Sequence, residues 1–350
     1  MTRTNTSDRS WTLPAGALPD LLAALAATCE LWTPRPVGGG TRFLPHGEDR
    51  PLDLAQTPPA HSVKAVLFPN PETLFTYHSE GNGVALTHPE PDGRSLIVFG
   101  ARACDARAVA ALDAVFLGRS IPDPAYRERR ERLCLVGLAC VPPAATCFCH
   151  RMGSGPFDAS GMDVQIVPLD DVYVFHLLTK RGEACLTPFQ DRFEAADGDT
   201  LKKVAATKAG LEGAEPSVDF TALKDAVKQH RDDPYWETLA AACLGCGICT
   251  FLCPVCSCFS ITDTGNRRGG RRVRYWDACM FPAFTKEASG HNPRGDEPAR
   301  VKQRFFHKFY YSIENGEPPG CVGCGRCVIH CPAGIDIREI VSRFQPEAAS

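Results

Sequence analysis

CLGCGICTFLCPVCSC, residues 243–258, holds six cysteines in sixteen positions. Thiols at that density bind metal, and one iron–sulfur cluster or one structural zinc ion uses four of them. The segment therefore either shares ligands with another part of the chain or carries thiols to spare. A second segment, CVGCGRCVIHCP (Cys321 to Pro332), repeats the Cys-x-x-Cys-x-x-Cys-x-x-x-Cys-Pro template of CLGCGICTFLCP (Cys243 to Pro254), down to the glycine after the second cysteine. Three thiolates spaced i, i+3, i+6 on a tight loop reach three corners of one cubane, and the fourth, beyond a short helical turn, points to a different cluster. Two such motifs predict two crossed [4Fe–4S] sites: Cys243, Cys246 and Cys249 with Cys331, and Cys321, Cys324 and Cys327 with Cys253. Gly245, Gly247, Gly323 and Gly325 let the backbone wrap close to the sulfides, where amide N–H groups offset negative charge. Zinc sites are usually built from separated cysteine pairs and leave an evenly spaced triplet followed by Cys-Pro, twice, without a reason.

A second constellation lies in the first half. Cys104 follows the apolar run SLIVFG (Ser95 to Gly100), and Cys140 ends LCLVGLAC (Leu133 to Cys140). Both runs read as buried strands, and loops at the carboxyl ends of parallel strands share one edge of a sheet. The loop VPPAATCFCH adds Cys147 and Cys149, completing a set of four. These residues alone leave two readings open: ligands of a third cluster, or small buried apolar side chains, the role expected of Cys29, Cys134 and Cys185. Cys256, Cys258 and Cys279 remain over, as structural thiols, a redox dithiol or extra ligands.

The elements that must position these residues follow from periodicity. AVAALDAVFL (Ala108 to Leu117) has helical spacing, and DVQIVPL and VYVFHLL form a hairpin. The chain divides into an α/β amino-terminal domain over 1–187, a polar helical connector over 188–242 and a cysteine-rich α-helical, ferredoxin-like domain over 243–350. NRRGGRRVR (Asn266 to Arg274) reads as a solvated loop or an acidic partner's dock, and GGGTRF at Gly38 as a turn.

Composition excludes several classes. Among 350 residues, 38 basic and 41 acidic ones give a net charge of −3, which offers no footprint for nucleic acid. The opening MTRTNTSDRS lacks the pattern of a secretory leader, and LPDLLAALAATCELW is too short and too charged to span a bilayer, so a cytoplasmic, membrane-free protein is expected. No P-loop, Rossmann fingerprint or nucleophile–base pair is evident.

The segments FPNPETL (Phe68 to Leu74), GARACDARAVAALDAVF (Gly100 to Phe116), GLACVPPAATCFCHRMGSGP (Gly137 to Pro156), WDAC (Trp276 to Cys279), HNPR (His291 to Arg294) and GCVGCGRCVIHCPAGIDI, in this order, resemble the iron–sulfur β subunits of cytoplasmic sulfhydrogenases. The similar A subunit of anaerobic sulfite reductase and subunits of flavin-linked heterodisulfide reductase complexes share the pattern. The resemblance implies an electron-transfer subunit between an FAD- and NAD(P)H-reactive flavoprotein and a catalytic subunit reducing protons, sulfur species, sulfite or a disulfide. It favours Cys104, Cys140, Cys147 and Cys149 as ligands of a third [4Fe–4S] cluster. Ala103 departs from the family's proline before the cysteine, a difference of loop stiffness rather than ligation. Cluster potentials depend on nearby charge, and Arg326 and His330 are candidates to raise one, although either also reads as solvated surface. An alternative of another class is an enzyme whose α/β domain binds flavin or whose leftover thiols reduce a substrate.

Overall fold

The structure, a computed structural model, describes residues 10–47, 50–55, 58–90, 92–211 and 217–345. The opening nine residues and residues 212–216 of the connector lie outside them. The strands are β1 (Ser10–Pro14), β2 (Glu30–Val37), β3 (Gly40–Pro45), β4 (Glu72–Glu80), β5 (Gly83–Thr87), β6 (Leu96–Ala101), β7 (Leu133–Leu138), β8 (Val164–Pro168), β9 (Val172–Leu177), β10 (Glu194–Ala195), β11 (Phe259–Asn266) and β12 (Gly269–Trp276). Eight form one sheet in the order β10, β1, β9, β8, β7, β6, β2, β3, and four form a second in the order β11, β12, β4, β5.

The first sheet has a parallel centre, with β2, β6, β7 and β8 side by side. Its central strands are buried on both faces, which is why they read as unbroken apolar runs. Leu96, Val98, Leu133 and Leu135 pack against Val109, Leu112 and Phe116 of the helix Ala103–Phe116. Ile97, Phe99, Val136 and Leu138 face Leu21, Leu22 and Leu25 on the other side. The expected hairpin is β8 and β9, antiparallel with Val167 opposite Val174. GGGTRF supplies the turn between β2 and β3, where Gly38 and Gly39 take φ of 55° and 82°. Ala103 occupies the first helical position, where proline also fits, and the Asp105 side chain accepts from the Arg102 amide at 3.1 Å.

Three readings of the sequence need correction. NRRGGRRVR is not a free loop: it closes the β11–β12 hairpin and runs along β12, which pairs with β4 from 190 residues earlier (Arg274 opposite Glu72, and Gly269 opposite His78). The segments 1–187, 188–242 and 243–350 are therefore not three separate packing units, because the second sheet draws strands from the first and the last. The connector helices Phe220–Gln229 and Tyr235–Ala242 likewise join a core with Phe305, Phe306, Phe309 and Phe344 through Leu223, Val227 and Trp236. The last third is also not purely helical, since it contains the hairpin.

Arg274 fastens the hairpin to the α/β layer. Only 2% exposed, it donates through Nε to Glu72 at 2.9 Å, pairs with Asp123, and lies over the rings of Phe68 and Phe259 at 4.9 and 5.3 Å. Arg129 pairs with the same Glu72. Removing one member of a buried ionic set leaves the others uncompensated, at a cost of about 3–5 kcal/mol. Arg274→Met is expected to lower the denaturant midpoint accordingly, whereas Arg272→Met, which removes a half-exposed pair with Asp263, changes stability by less than about 1 kcal/mol.

Candidate metal centres

The two repeats fold alike. Gly245 and Gly247 in the first, and Gly323 and Gly325 in the second, take φ of 60°, 75°, 67° and 71°. Each repeat then enters a four-residue helix, Ile248–Phe251 or Arg326–Ile329. A left-handed residue before a short helix turns the loop back on itself, so successive thiols face one space.

Cys243, Cys246, Cys249 and Cys331 line one cavity. Cys253, Cys321, Cys324 and Cys327 line a second. Cys104, Cys140, Cys147 and Cys149 line a third, at the carboxyl edge of β6 and β7. Cys104 sits in the first turn of its helix, and Cys140 lies two residues beyond β7. Cys327 also borders the first cavity and Cys324 the third, so the three spaces run in a row with the second in the middle. Cys246 is exposed, whereas Cys253 and Cys324 are buried.

The donor set fits polynuclear clusters. A single zinc at about 2.3 Å from each sulfur would draw the four within roughly 4 Å of one another. Among the described residues no three His, Cys, Asp or Glu side chains gather tightly enough for one metal ion. Amide groups already point at sulfur: Gly245 N–H donates to Cys243 Sγ at 3.4 Å and Ile335 N–H to Cys331 Sγ at 3.3 Å. Burial pushes the Cys147 and Cys327 thiols up to about 11 and those of Cys149 and Cys321 up to about 12. These thiols are neutral at neutral pH until metal displaces their protons, so loading releases protons and weakens as pH falls.

The second repeat is pressed against the loop after β7. Phe148 N–H donates to Gly323 O at 2.8 Å, and a Cβ on Gly325 would lie 2.5 Å from Thr146 O. A Cβ on Gly323 would fall 2.6 Å from Phe148 O. Only glycine permits this approach, which brings Cys324 to the wall of the third cavity.

Buried cations surround the middle of the row. Arg326 is 1% exposed rather than solvated; it donates to Asp105 at 2.9 Å, to Pro59 O at 2.7 Å and toward Cys104 Sγ at 3.7 Å. His330 is half-buried. Lys308 donates to Cys253 Sγ at 3.2 Å, Cys256 Sγ at 3.6 Å and Gly320 O at 2.8 Å. Arg304 borders the first cavity, and its buried Nε has no hydrogen-bond partner. Lys64 donates to the carbonyls of Phe251 and Cys256 at 3.0 and 3.2 Å and lies 4.0 Å above Trp276, with burial pulling it down to about 8.

Sequence reasoning passed over Lys64, Arg304 and Lys308. A signal existed: Arg300, Arg304 and Lys308 recur every fourth residue among Val301, Phe305 and Phe309, so the cations fall on the apolar side of their helix. The run passes into a π-helical turn, His307–Tyr311, a form common at functional sites.

The leftover cysteines border none of the three cavities. Cys256 hydrogen-bonds Cys253, and Cys258 hydrogen-bonds Cys279, which also meets Thr250 Oγ1 at 3.9 Å. The Cys258 contact holds the Cys279 thiol down to about 6, with the Arg304 charge adding to it.

A dicluster fold with crossed cysteine sets defines the chain as an iron–sulfur protein. The 4Fe–4S dicluster domain family matches it over residues 242–335. It is 32% identical over 262 residues to sulfhydrogenase 2 subunit beta of Pyrococcus furiosus, an alignment covering 74% of this chain and 77% of that protein. The chain belongs to the sulfhydrogenase beta-subunit family. No solved structure matches it.

Gly325→Ala and Gly245→Ala test the close approach. Both incur left-handed strain of about 1–2 kcal/mol. Only the first also drives a methyl into backbone, since the nearest atom to a Cβ at Gly245 is the end of the Glu297 side chain, at 3.2 Å. Gly325→Ala is expected to show the larger drop in thermal midpoint and the larger loss of iron.

Proposed function

We propose that this chain is the electron-relay subunit of a multi-subunit oxidoreductase. In this reading it holds three [4Fe–4S] clusters, at Cys243, Cys246, Cys249 and Cys331, at Cys253, Cys321, Cys324 and Cys327, and at Cys104, Cys140, Cys147 and Cys149. A cubane with four cysteine ligands takes up and releases single electrons and leaves no iron open to substrate. The observation that carries the reading is the shared walls: Cys327 stands between the first and second cavities and Cys324 between the second and third. A row of this kind suits passage through the protein rather than chemistry at one place.

The chain's own residues have defined tasks in such a relay. The ferredoxin-like loops, with their left-handed glycines, bring amide donors to sulfur. Phe148, Val322 and Ile337 keep water from the middle site. The two ends of the row have exposed side chains beside them. At one, Cys246 is exposed beside Leu244, which is 68% exposed; at the other, Cys147 is half-buried near Val141, which is 37% exposed. We assign these ends to the two partners that the family resemblance implies, an FAD- and NAD(P)H-reactive subunit and a catalytic subunit of hydrogenase, sulfur or sulfite reductase, or heterodisulfide reductase type. None of the eighteen cysteines is in a disulfide, as suits a reducing cytoplasm, and among the described residues no helix is long and apolar enough to cross a membrane.

Back-titration of the anaerobic, fully reduced chain with a one-electron oxidant tests the relay. About three electrons per chain are expected, one per cubane. Cys149→Ala is expected to remove about one of them. A chain that stores no electrons, or that turns over substrate without partners, overturns the reading.

A further inference from the structure

The charges along the row are uneven. At the third cavity the Arg326 guanidinium is cancelled by Asp105, the two side chains being 1% and 0% exposed. At the first, Arg304 lines the cavity, and the Glu297 carboxylate lies beside Gly245 in the cysteine loop without pairing with that arginine. Lys308 at the middle cavity has no such partner: among the described residues no carboxylate lies within ion-pair distance of it, nor of Arg304 or Lys64. Lys308 lines that cavity, is 4% exposed and donates directly to Cys253 Sγ. Arg304, one turn earlier and 6% exposed, stands on the side of the first cavity where Cys327 is shared.

Buried cations without counter-ions are costly, and a fold keeps them where an anion will neutralise them. The facing groups here are thiols. Lys308 donates to Cys253 Sγ and Cys256 Sγ, and Arg304 lines the first cavity beside the shared Cys327. A guanidinium stays charged in proteins, and an ammonium in contact with ligand sulfur bears on every oxidation state of what the cysteines hold.

We infer that Lys308, with Arg304 at the wall shared through Cys327, raises the reduction potential of the middle site above that of the third, making it a place where an electron rests in transit. The inference rests on the three-cluster relay proposed above. A positive charge favours the more negative, reduced form, and a hydrogen bond to a ligand sulfur acts in the same direction. Lys308 and Arg304 are thus tuning residues that act through the cysteines, Lys308 by contact and Arg304 through space. The third site, with its cation cancelled, lies lower, and the central one evens out the supply of electrons between the two ends.

The test is an EPR-monitored redox titration of the full-length, anaerobically prepared chain, with iron counted in each sample. Lys308→Met and Arg304→Met are each expected to lower the highest midpoint by at least 59 mV, a tenfold change for one electron, and to shift the lowest, at the third site, less. Lys308→Arg and Arg304→Lys, which keep the charge, are expected to restore it. Full iron with unmoved midpoints overturns the inference and leaves the relay intact, whereas a wild-type chain without cluster iron fails the relay itself. If the methionine variants lose iron, retention in the charge-preserving ones supports the role of charge, and loss in all four overturns it in favour of packing.

Discussion

The fold turns on one contact: the backbone of the second cysteine loop against the backbone of the loop after β7. Gly323 and Gly325 lie so close to Thr146, Phe148 and Cys149 that no Cβ fits between them, and the Phe148 amide bonds directly to Gly323. This contact joins halves of the chain almost two hundred residues apart. It makes Cys324 a wall common to two cavities, turning a two-site motif and a separate four-cysteine set into one row. Arg274, Glu72 and the β4–β12 pairing join the two halves of the chain a second time.

Charge is the second organising constraint. Thiols buried to this extent resist ionising, and metal must displace their protons before the sites carry negative charge. The fold prepares for that charge with Arg304, Lys308 and Lys64, and with the Arg326–Asp105 pair between the second and third cavities. Lys308, Arg304 and Lys64 have no carboxylate partner among the described residues, an arrangement that becomes favourable when thiolates face them.

Much of this was legible in the sequence because it is local. Cysteine spacing set out the crossed groups, and the apolar runs around Val98 and Val136 marked adjacent buried strands whose ends meet at Cys104 and Cys140. What escaped is non-local. The pairing of β12 with β4 spans about two hundred residues, and NRRGGRRVR, taken alone, has the composition of a loop. Arg326 read as surface because arginine usually is, and only the Asp105 partner explains its burial. Arg304 and Lys308 were hidden differently: their four-residue spacing was visible, but which side of the helix faces the cavities depends on the packing of Phe305 and Phe309 against Trp236 and its neighbours. Cys256, Cys258 and Cys279 found places in thiol–thiol contacts that no spacing rule foretells.

The central claim is that this chain carries three clusters in line, not two. Iron and acid-labile sulfide counted per chain in anaerobically prepared protein address it most directly. The account predicts about twelve of each, four per cubane at three sites. About eight would contradict the amino-terminal site and shorten the row to the dicluster domain, and zinc in place of iron would contradict the account as a whole.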